Sequence, residues 1–218
     1  MKTTSVRLRR SFYQRPTLEV ALDLLGKVLV FKNEGETLGG RLVEVEAYIG
    51  EDDPACHAYR GRTPRNEIMY GKAGFLYVYF TYGNHYMLNI VTERVGFPAA
   101  VLLRGLEPLF GIETMMKRRG VRKATEAASG PGKIAKALGV TTKYKGLDLT
   151  GDVMYLVDDG EFSGEIWQSA RIGITDGIER EWRFFVAGNP SVSKAGGQVA
   201  GTARRVTATN RSLHDRHA

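Results

Sequence analysis

The stretch from Arg41 to Gly50, RLVEVEAYIG, constrains the fold of this chain more than any other segment. Its small apolar residues recur at every second position, which is the period of a β-strand: Val43, Val45, Ala47 and Ile49. The alternate face carries Leu42 and three polar or aromatic residues, Glu44, Glu46 and Tyr48. Taken alone, this pattern favours a half-exposed edge strand with a solvated acidic face. It favours the wall of a cleft for a planar substrate only if other segments supply aromatic and basic groups.

Two aromatic-rich segments, residues 75–82 and 85–92, predict a β-hairpin. Gly83-Asn84 between them is a frequent two-residue turn, and this turn places Tyr82 opposite His85 at the tip. Such an exposed aromatic residue is either covered by another loop or inserts into a nucleic acid as a wedge or stacking group.

The segment between these strands, residues 51–66, is long for a loop, which is typical of functional or disordered segments. It begins acidic, contains His57 and ends with several arginines, including Arg62 and Arg65. A metal site built from Asp52, Asp53, Cys56 and His57 matches no ligand spacing, so we predict no metal.

The SGPGK run that ends at Lys133 opens a helix whose free amides could hold a phosphate, although capping by Ser129 is the simpler interpretation.

Composition places limits on the class of protein. The chain has 218 residues and a formal net charge of +7. Residues 194–218 hold five basic side chains against one acid and few large apolar ones, so we predict a single domain over 1–193 and a basic, disordered tail over 194–218. The remaining positive charge permits a polyanionic partner without requiring one. One cysteine, no apolar leader and no membrane-span-like stretch predict a cytoplasmic protein with no membrane partner.

Strands and helices are interspersed without regular βαβ alternation, which favours the α+β class.

Several motifs occur in order along the chain: VEVEAY, His57, RTPRN at 62–66, LYVYFTYG at 76–83, LNI at 88–90, VLLRGLEP at 101–108 and SGP at 129–131. Together they resemble the alkyladenine (3-methyladenine) DNA glycosylase family. The resemblance implies a single mixed domain around a curved antiparallel β-sheet with a protruding β-hairpin. It also implies a monofunctional glycosylase that flips alkylated or deaminated purines out of double-stranded DNA in base excision repair. We expect a monomer without cofactors, located in the cytoplasm, or at the nucleoid if bacterial.

The resemblance assigns roles residue by residue. Glu46 matches the acid that activates water, and Arg104 matches a residue near the DNA backbone and that water. The pocket residues are Tyr48, His57, Tyr79 and Asn89, and Tyr82 matches the intercalating residue. We add three candidate DNA-binding cations: Arg62, Arg65 and Lys133. From the strand pattern alone, Glu44 competes with Glu46.

The position of Asn89 leaves two possibilities open. In a regular two-residue hairpin Asn89 pairs with Val78 and shares a face with Tyr82, whereas the resemblance puts it in the pocket beside Tyr79. Either the hairpin is bulged or twisted, or Asn89 reaches the pocket from elsewhere.

Two other functions compete with the glycosylase. A non-catalytic nucleic-acid-binding module would use the same cations and tyrosines but would not need Glu44 and Glu46 beside a polyanion. A transferase with a nucleotide cofactor would need a phosphate-binding loop, and the chain has no convincing one.

Overall fold

The computed structural model describes residues 5–194 and 203–207. Within these ranges one sheet contains ten strands, and every strand pair is antiparallel. The strands are β1 (Val6–Arg7), β2 (Val28–Asn33), β3 (Glu36–Ile49), β4 (Leu76–Thr81), β5 (His85–Val91), β6 (Ala99–Phe110), β7 (Met154–Asp158), β8 (Ile166–Ser169), β9 (Arg183–Val186) and β10 (Arg204–Arg205). The helices are α1 (Arg10–Tyr13), α2 (Thr17–Leu24), α3 (Ile112–Arg119), α4 (Ala124–Ala127) and α5 (Pro131–Leu138), with 3-10 turns at Glu67–Tyr70 and Thr142–Tyr144. The predicted α+β class is confirmed.

The sheet branches at β3. The main path runs β1-β7-β2-β3-β6-β5-β4, while β9, β8 and β10 form a second arm. One edge of β3 pairs with β2 as far as Arg41 and then with β9 from Glu44 to Glu46. The other edge pairs with β6, and its register shifts on both sides of Glu44. The stretch that holds the two acids is therefore interior to the sheet, so the expectation of a half-exposed edge strand is wrong.

Side-chain alternation gives the sheet two different faces. One face packs with helices α2, α3, α4 and α5 into the main hydrophobic core, and it includes Val43, Val45 and Ala47 of β3. The other face carries a smaller cluster that includes Tyr77, Ala100 and residues of the 51–70 segment. The candidate site lies on this second face.

The structure fixes the boundaries of three elements near the site. Strand β6 continues through Pro108 to Phe110 while paired with β3, and helix α3 begins at Ile112. Residues 171–174 form no strand in the described fold, and β8 lies earlier, at Ile166–Ser169. Helix α5 begins at Pro131 with Gly130 at its N-cap, so Ser129 is not the cap.

Part of the predicted tail is ordered. Residues 203–207 are described, and Arg204 and Arg205 pair with β8, so disorder is wrong for this segment. Both arginines also form ion pairs, with Glu181 and Glu165. Residues 195–202 and 208–218 lie outside the described residues, and the domain boundary at 193 stays a prediction. Among the described helices, none is long and apolar enough to cross a membrane.

Candidate active site

A cavity of about 340 Å³ opens on the second face of the sheet. Strands β3 to β6 supply most of its wall because their registered neighbours line up across the sheet. Tyr77 pairs with Asn89, Asn89 with Leu102, and Leu102 with Glu46. The remaining wall comes from the 51–70 segment, the 172–174 stretch and the start of α5. Of the predicted site residues, the lining includes Tyr48, His57, Tyr79, Tyr82, Asn89 and Arg104.

Glu46 lies directly behind this lining and is fully buried. Its Oε2 accepts hydrogen bonds from the Tyr48 hydroxyl (2.8 Å) and from Arg104 Nη1 (3.2 Å). Its Oε1 accepts from the backbone N–H of Ile172 (2.7 Å). All three donors belong to residues that line the cavity. Burial raises the pKa of Glu46, and the Arg104 charge and these hydrogen bonds oppose that rise.

Glu44 is also fully buried but faces a different set of partners. Its Oε1 accepts from Arg183 Nε (2.7 Å), Arg104 Nε (3.1 Å) and the Ser193 hydroxyl (2.7 Å). Its Oε2 accepts from the backbone N–H of Ser193 (2.6 Å). Arg104 thus bridges the two carboxylates, and among the described hydrogen-bond partners of Glu44 it is the one that lines the cavity. Both acids are compensated by cations and hydrogen bonds, which a buried charge requires.

Three aromatic side chains, His57, Tyr77 and Tyr79, form a cluster in the cavity wall. The rings of His57 and Tyr79 meet edge-on with centroids 4.4 Å apart, and Tyr77 lies 5.3 Å from Tyr79. His57 Nδ1 is 2.9 Å from the Tyr77 hydroxyl. Burial against these rings, with a smaller contribution from Arg65, lowers the pKa of His57 to about 4. The imidazole is therefore neutral at pH 7.

The register of the hairpin decides between the two possibilities for the position of Asn89. Thr81 pairs with His85, so the loop contains Tyr82, Gly83 and Asn84 instead of the predicted two-residue turn. This one-residue shift puts Asn89 opposite Tyr77 and on the same face as Tyr79. Asn89 is buried, lines the cavity and donates from Nδ2 to the Tyr77 carbonyl (3.2 Å). The shifted turn thus reconciles the strand pattern with the pocket position.

Tyr82 lies at the tip of this hairpin and is 77% exposed. Its φ of +52° is in the left-handed region, which a bulky residue rarely adopts. Gly83 follows with a φ of +70°. The tip of the hairpin therefore combines an exposed aromatic side chain with some backbone strain.

The three candidate DNA-binding cations are exposed. Arg65 lies 5.3 Å from the Tyr79 ring centroid and donates to the Phe80 carbonyl (3.5 Å). Arg62 forms an exposed ion pair with Glu67 (2.9 Å), which offsets part of its charge. Lys133, in the first turn of α5, contacts the Ser129 hydroxyl (3.2 Å). Their role in DNA binding stays a prediction.

Sequence reasoning missed the partners that hold the site together. Arg183 and Ser193 bind Glu44, the Ile172 N–H binds Glu46, and a buried Asp53–Arg171 pair lies behind Tyr48. These residues come from segments far apart in the chain with no motif among them. Tyr77 could have been found, because it shares the alternation of Tyr79 along β4.

Comparisons with known proteins agree with this arrangement. The profile of the "Methylpurine-DNA glycosylase (MPG)" family matches residues 11–190. A protein of Chlorobaculum parvum is 51% identical over 189 residues, covering 86% of this chain and 90% of its own. A protein of Methanocella arvoryzae is 48% identical over 191 residues, covering 86% and 96% respectively. Both carry the name "Putative 3-methyladenine DNA glycosylase". On the extent of these matches, the chain belongs to the methylpurine-DNA glycosylase family.

Proposed function

We propose that this protein flips damaged purines out of duplex DNA and hydrolyses their N-glycosidic bond with a water molecule that Glu46 activates. The proposed substrates are 3-methyladenine, 1,N6-ethenoadenine and hypoxanthine. The observation that carries the proposal is the position of Glu46, a buried carboxylate bonded to three groups that line an aromatic cavity. A protein that only bound DNA would gain nothing from this desolvated negative charge.

The cavity suits a flipped purine. Its volume of about 340 Å³ lies at the lower end of the range of small-molecule sites. Tyr48, His57 and Tyr79 offer aromatic surfaces in the cavity lining, and stacking contributes about 1–3 kcal/mol per base. A cationic alkylpurine gains a further cation–π attraction, and the neutral His57 adds no repulsion. Asn89, at the floor of the pocket, would crowd the 2-amino group of guanine.

Glu46 has the chemistry of a general base. Among the described residues, its Oε1 accepts one hydrogen bond, and a carboxylate oxygen can accept two. A water bound there would lose its proton to the carboxylate while attacking the anomeric carbon. The same negative charge would stabilise the oxocarbenium-like sugar. Burial raises the pKa of the carboxylate, which makes it a stronger base than an exposed glutamate, and the Arg104 charge opposes that rise.

Base flipping requires a group that fills the gap in the duplex. Tyr82 is exposed at the tip of the hairpin and contributes to the cavity lining, and we assign it this role. Inserting its ring would offset part of the cost of unstacking, which is a few kcal/mol. Arg62, Arg65 and Lys133 would neutralise flanking phosphates.

The composition of the pocket supports hydrolysis by water without a lyase step. A lyase of the Schiff-base type needs an amine nucleophile, and the cavity wall formed by the described residues contains no lysine. The monomeric state, the absence of cofactors and the cytoplasmic location stay predictions.

The direct test uses duplex DNA with a single 1,N6-ethenoadenine or hypoxanthine, or methylated duplex DNA that contains 3-methyladenine. Release of the free base, and alkali-dependent strand cleavage at the lesion, are expected. Cleavage without alkali would contradict the monofunctional assignment. Tight binding without release of any of these bases would favour the non-catalytic binding module.

A further inference from the structure

A buried ion pair lies behind the wall of the cavity. Arg171 donates from Nη1 to Asp53 Oδ2 (2.6 Å) and from Nη2 to Asp53 Oδ1 (2.7 Å), and neither side chain is exposed. Arg171 also donates from Nη1 to the carbonyl of Ala47 in β3 (3.0 Å). The pair therefore connects the 51–70 segment and the loop that contains Arg171 to β3, the strand that carries Glu46.

The Arg171 guanidinium also supports the stacking tyrosine. It lies 4.7 Å from the ring centroid of Tyr48 and 5.2 Å from that of Trp182. Tyr48 lines the cavity, and the Arg171 guanidinium therefore lies beside a ring of the cavity wall. A planar cation over an aromatic face restricts the tilt of that ring.

The same arginine precedes the residue that holds Glu46. The N–H of Ile172 donates to Glu46 Oε1 (2.7 Å), and Ile172, Gly173 and Ile174 line the cavity. This stretch belongs to no strand or helix, so no ladder of backbone hydrogen bonds fixes the Ile172 N–H. The anchored side chain of Arg171 fixes it instead.

Stability alone gives little reason for this pair. Desolvation of two charges cancels most of their attraction, and apolar side chains of similar volume are often as stabilising in such a position. Two apolar side chains could not both hold the loop in position against β3 and stack on the Tyr48 ring.

We propose that the Asp53–Arg171 pair is a positioning unit for catalysis, which aligns the Glu46 carboxylate through the Ile172 N–H and the pocket face of Tyr48 through the Arg171 guanidinium. This inference rests on the proposed function of Glu46 as the base. It predicts that loosening the pair slows base release more than it weakens substrate capture.

The test measures release of 3-methyladenine from methylated duplex DNA with protein in excess, across a range of pH. This cationic base leaves without being protonated, so the acid limb of the rate profile reports the carboxylate. Varying the protein concentration separates the maximum rate from the half-saturating concentration. The main variant combines Asp53→Asn with Arg171→Gln, which removes both charges and leaves no unpaired one. A single Arg171→Lys variant keeps the charge but loses the planar fork.

Arg180→Gln is the matched control. Arg180 contacts the same Asp53 (3.8 Å) and lies over the same Trp182 ring (4.8 Å), but it is partly exposed, and neither Tyr48 nor Glu46 is among its contacts in the described structure. Its maximum rate and pH profile should match those of the native protein.

In the double variant, we expect the maximum rate to fall by about tenfold or more, as displaced catalytic groups commonly cause, with little change in half-saturation. The acid limb should move to higher pH, because the Ile172 hydrogen bond that favours ionised Glu46 is weakened. Arg171→Lys should show a smaller fall in the maximum rate and a smaller shift of the acid limb. If the double variant does not fold, the result for Arg171→Lys tests the proposal.

A folded variant with the native maximum rate, or a slower one with an unmoved acid limb, would overturn the positioning role. Glu46→Gln in the same assay separates this failure from failure of the proposed function. If Glu46→Gln is inactive while the pair variants are native, only the positioning unit is wrong. If Glu46→Gln releases base at the native rate, the assignment of the base is wrong whatever the pair variants do.

Discussion

Replacing Glu46 with glutamine is the sharpest perturbation, because it keeps the shape of the side chain and removes its charge and basicity. The amide oxygen can take the place of Oε2 and still accept from Tyr48 and Arg104. The amide nitrogen then faces the Ile172 N–H, and one hydrogen bond is lost. A buried unsatisfied donor costs about 1–3 kcal/mol, against a typical total stability of about 5–15 kcal/mol. We therefore expect Glu46→Gln to fold.

The loss in rate should be far larger than the loss in stability. Removing a positioned general base costs about 10²–10⁴ in rate, and removing a charge aimed at the transition state costs about 10²–10³. Both contributions come from one carboxylate, so we expect a loss of at least ~10⁴. Binding of lesion-containing DNA should be kept or tighten, since one negative charge near the phosphates is gone.

Single-turnover release of 3-methyladenine from methylated duplex DNA measures this loss, and Glu44→Gln is the matched control on the same strand. Glu44 bonds to Arg104 and Arg183, so its variant loses stability, by about 3–5 kcal/mol for a broken buried pair. Once folded, it should keep most of its activity. Near-native release by Glu46→Gln would refute the mechanism, and a large loss confined to Glu44→Gln would transfer the role to Glu44.

The pH profile of the native protein tests the same carboxylate. A general base acts only when ionised, so the rate should fall as the pH drops through its pKa. Burial raises the pKa of Glu46 above the ordinary value of 4.5, and the acid limb for a cationic base should therefore lie above pH 4.5. An acid limb below that pH would mean that the carboxylate in question is not buried.

Three further predictions concern residues around the site. Tyr82→Ser should slow excision from duplex DNA, and the loss should shrink when the lesion faces a mismatch, which flips more easily; an equal loss on both substrates would make Tyr82 structural. Deleting residues 208–218 removes two arginines, Arg211 and Arg216, and leaves β10 in place. It should flatten the slope of log affinity against log salt by at most about 2 without changing single-turnover excision. The pKa of the His57 imidazole should lie below its ordinary value of 6.5, at about 4, because burial and, to a smaller extent, Arg65 disfavour the charged form; an NMR titration with a midpoint at 6.5 or above would contradict this.

The sequence predicted the parts of the site that depend on alternation along a single strand. Tyr48 and Glu46 share a face of β3, and Tyr79 lies on the cavity face of β4, because side chains alternate in any extended strand. The exposure of Tyr82 likewise follows from its place beside a Gly-Asn turn. These conclusions do not depend on which strands pair.

The parts that depend on pairing were not predictable from one sequence. Moving the hairpin register by one residue turned Asn89 towards the cavity, and the choice rested on an unusual backbone conformation at Tyr82. The burial of Glu44 and Glu46 depends on β9 joining β3 beyond the end of β2. No local pattern marks such a branch, so the solvated acidic face was the reasonable expectation.

The branch also explains why two acids can be adjacent on one strand face with different roles. Between β6 and β9, Glu44 meets Arg104 and Arg183, whose charges more than balance its own. Among the described residues that bond to it, Glu46 shares Arg104 and otherwise accepts from the neutral donors Tyr48 and Ile172, so fewer cations compensate its negative charge than that of Glu44. A buried negative charge favours a nearby cation. In the proposed mechanism the positive sugar of the transition state, or a cationic base in the cavity, would supply further positive charge, and this is the physical reason for proposing Glu46 over Glu44 as the base.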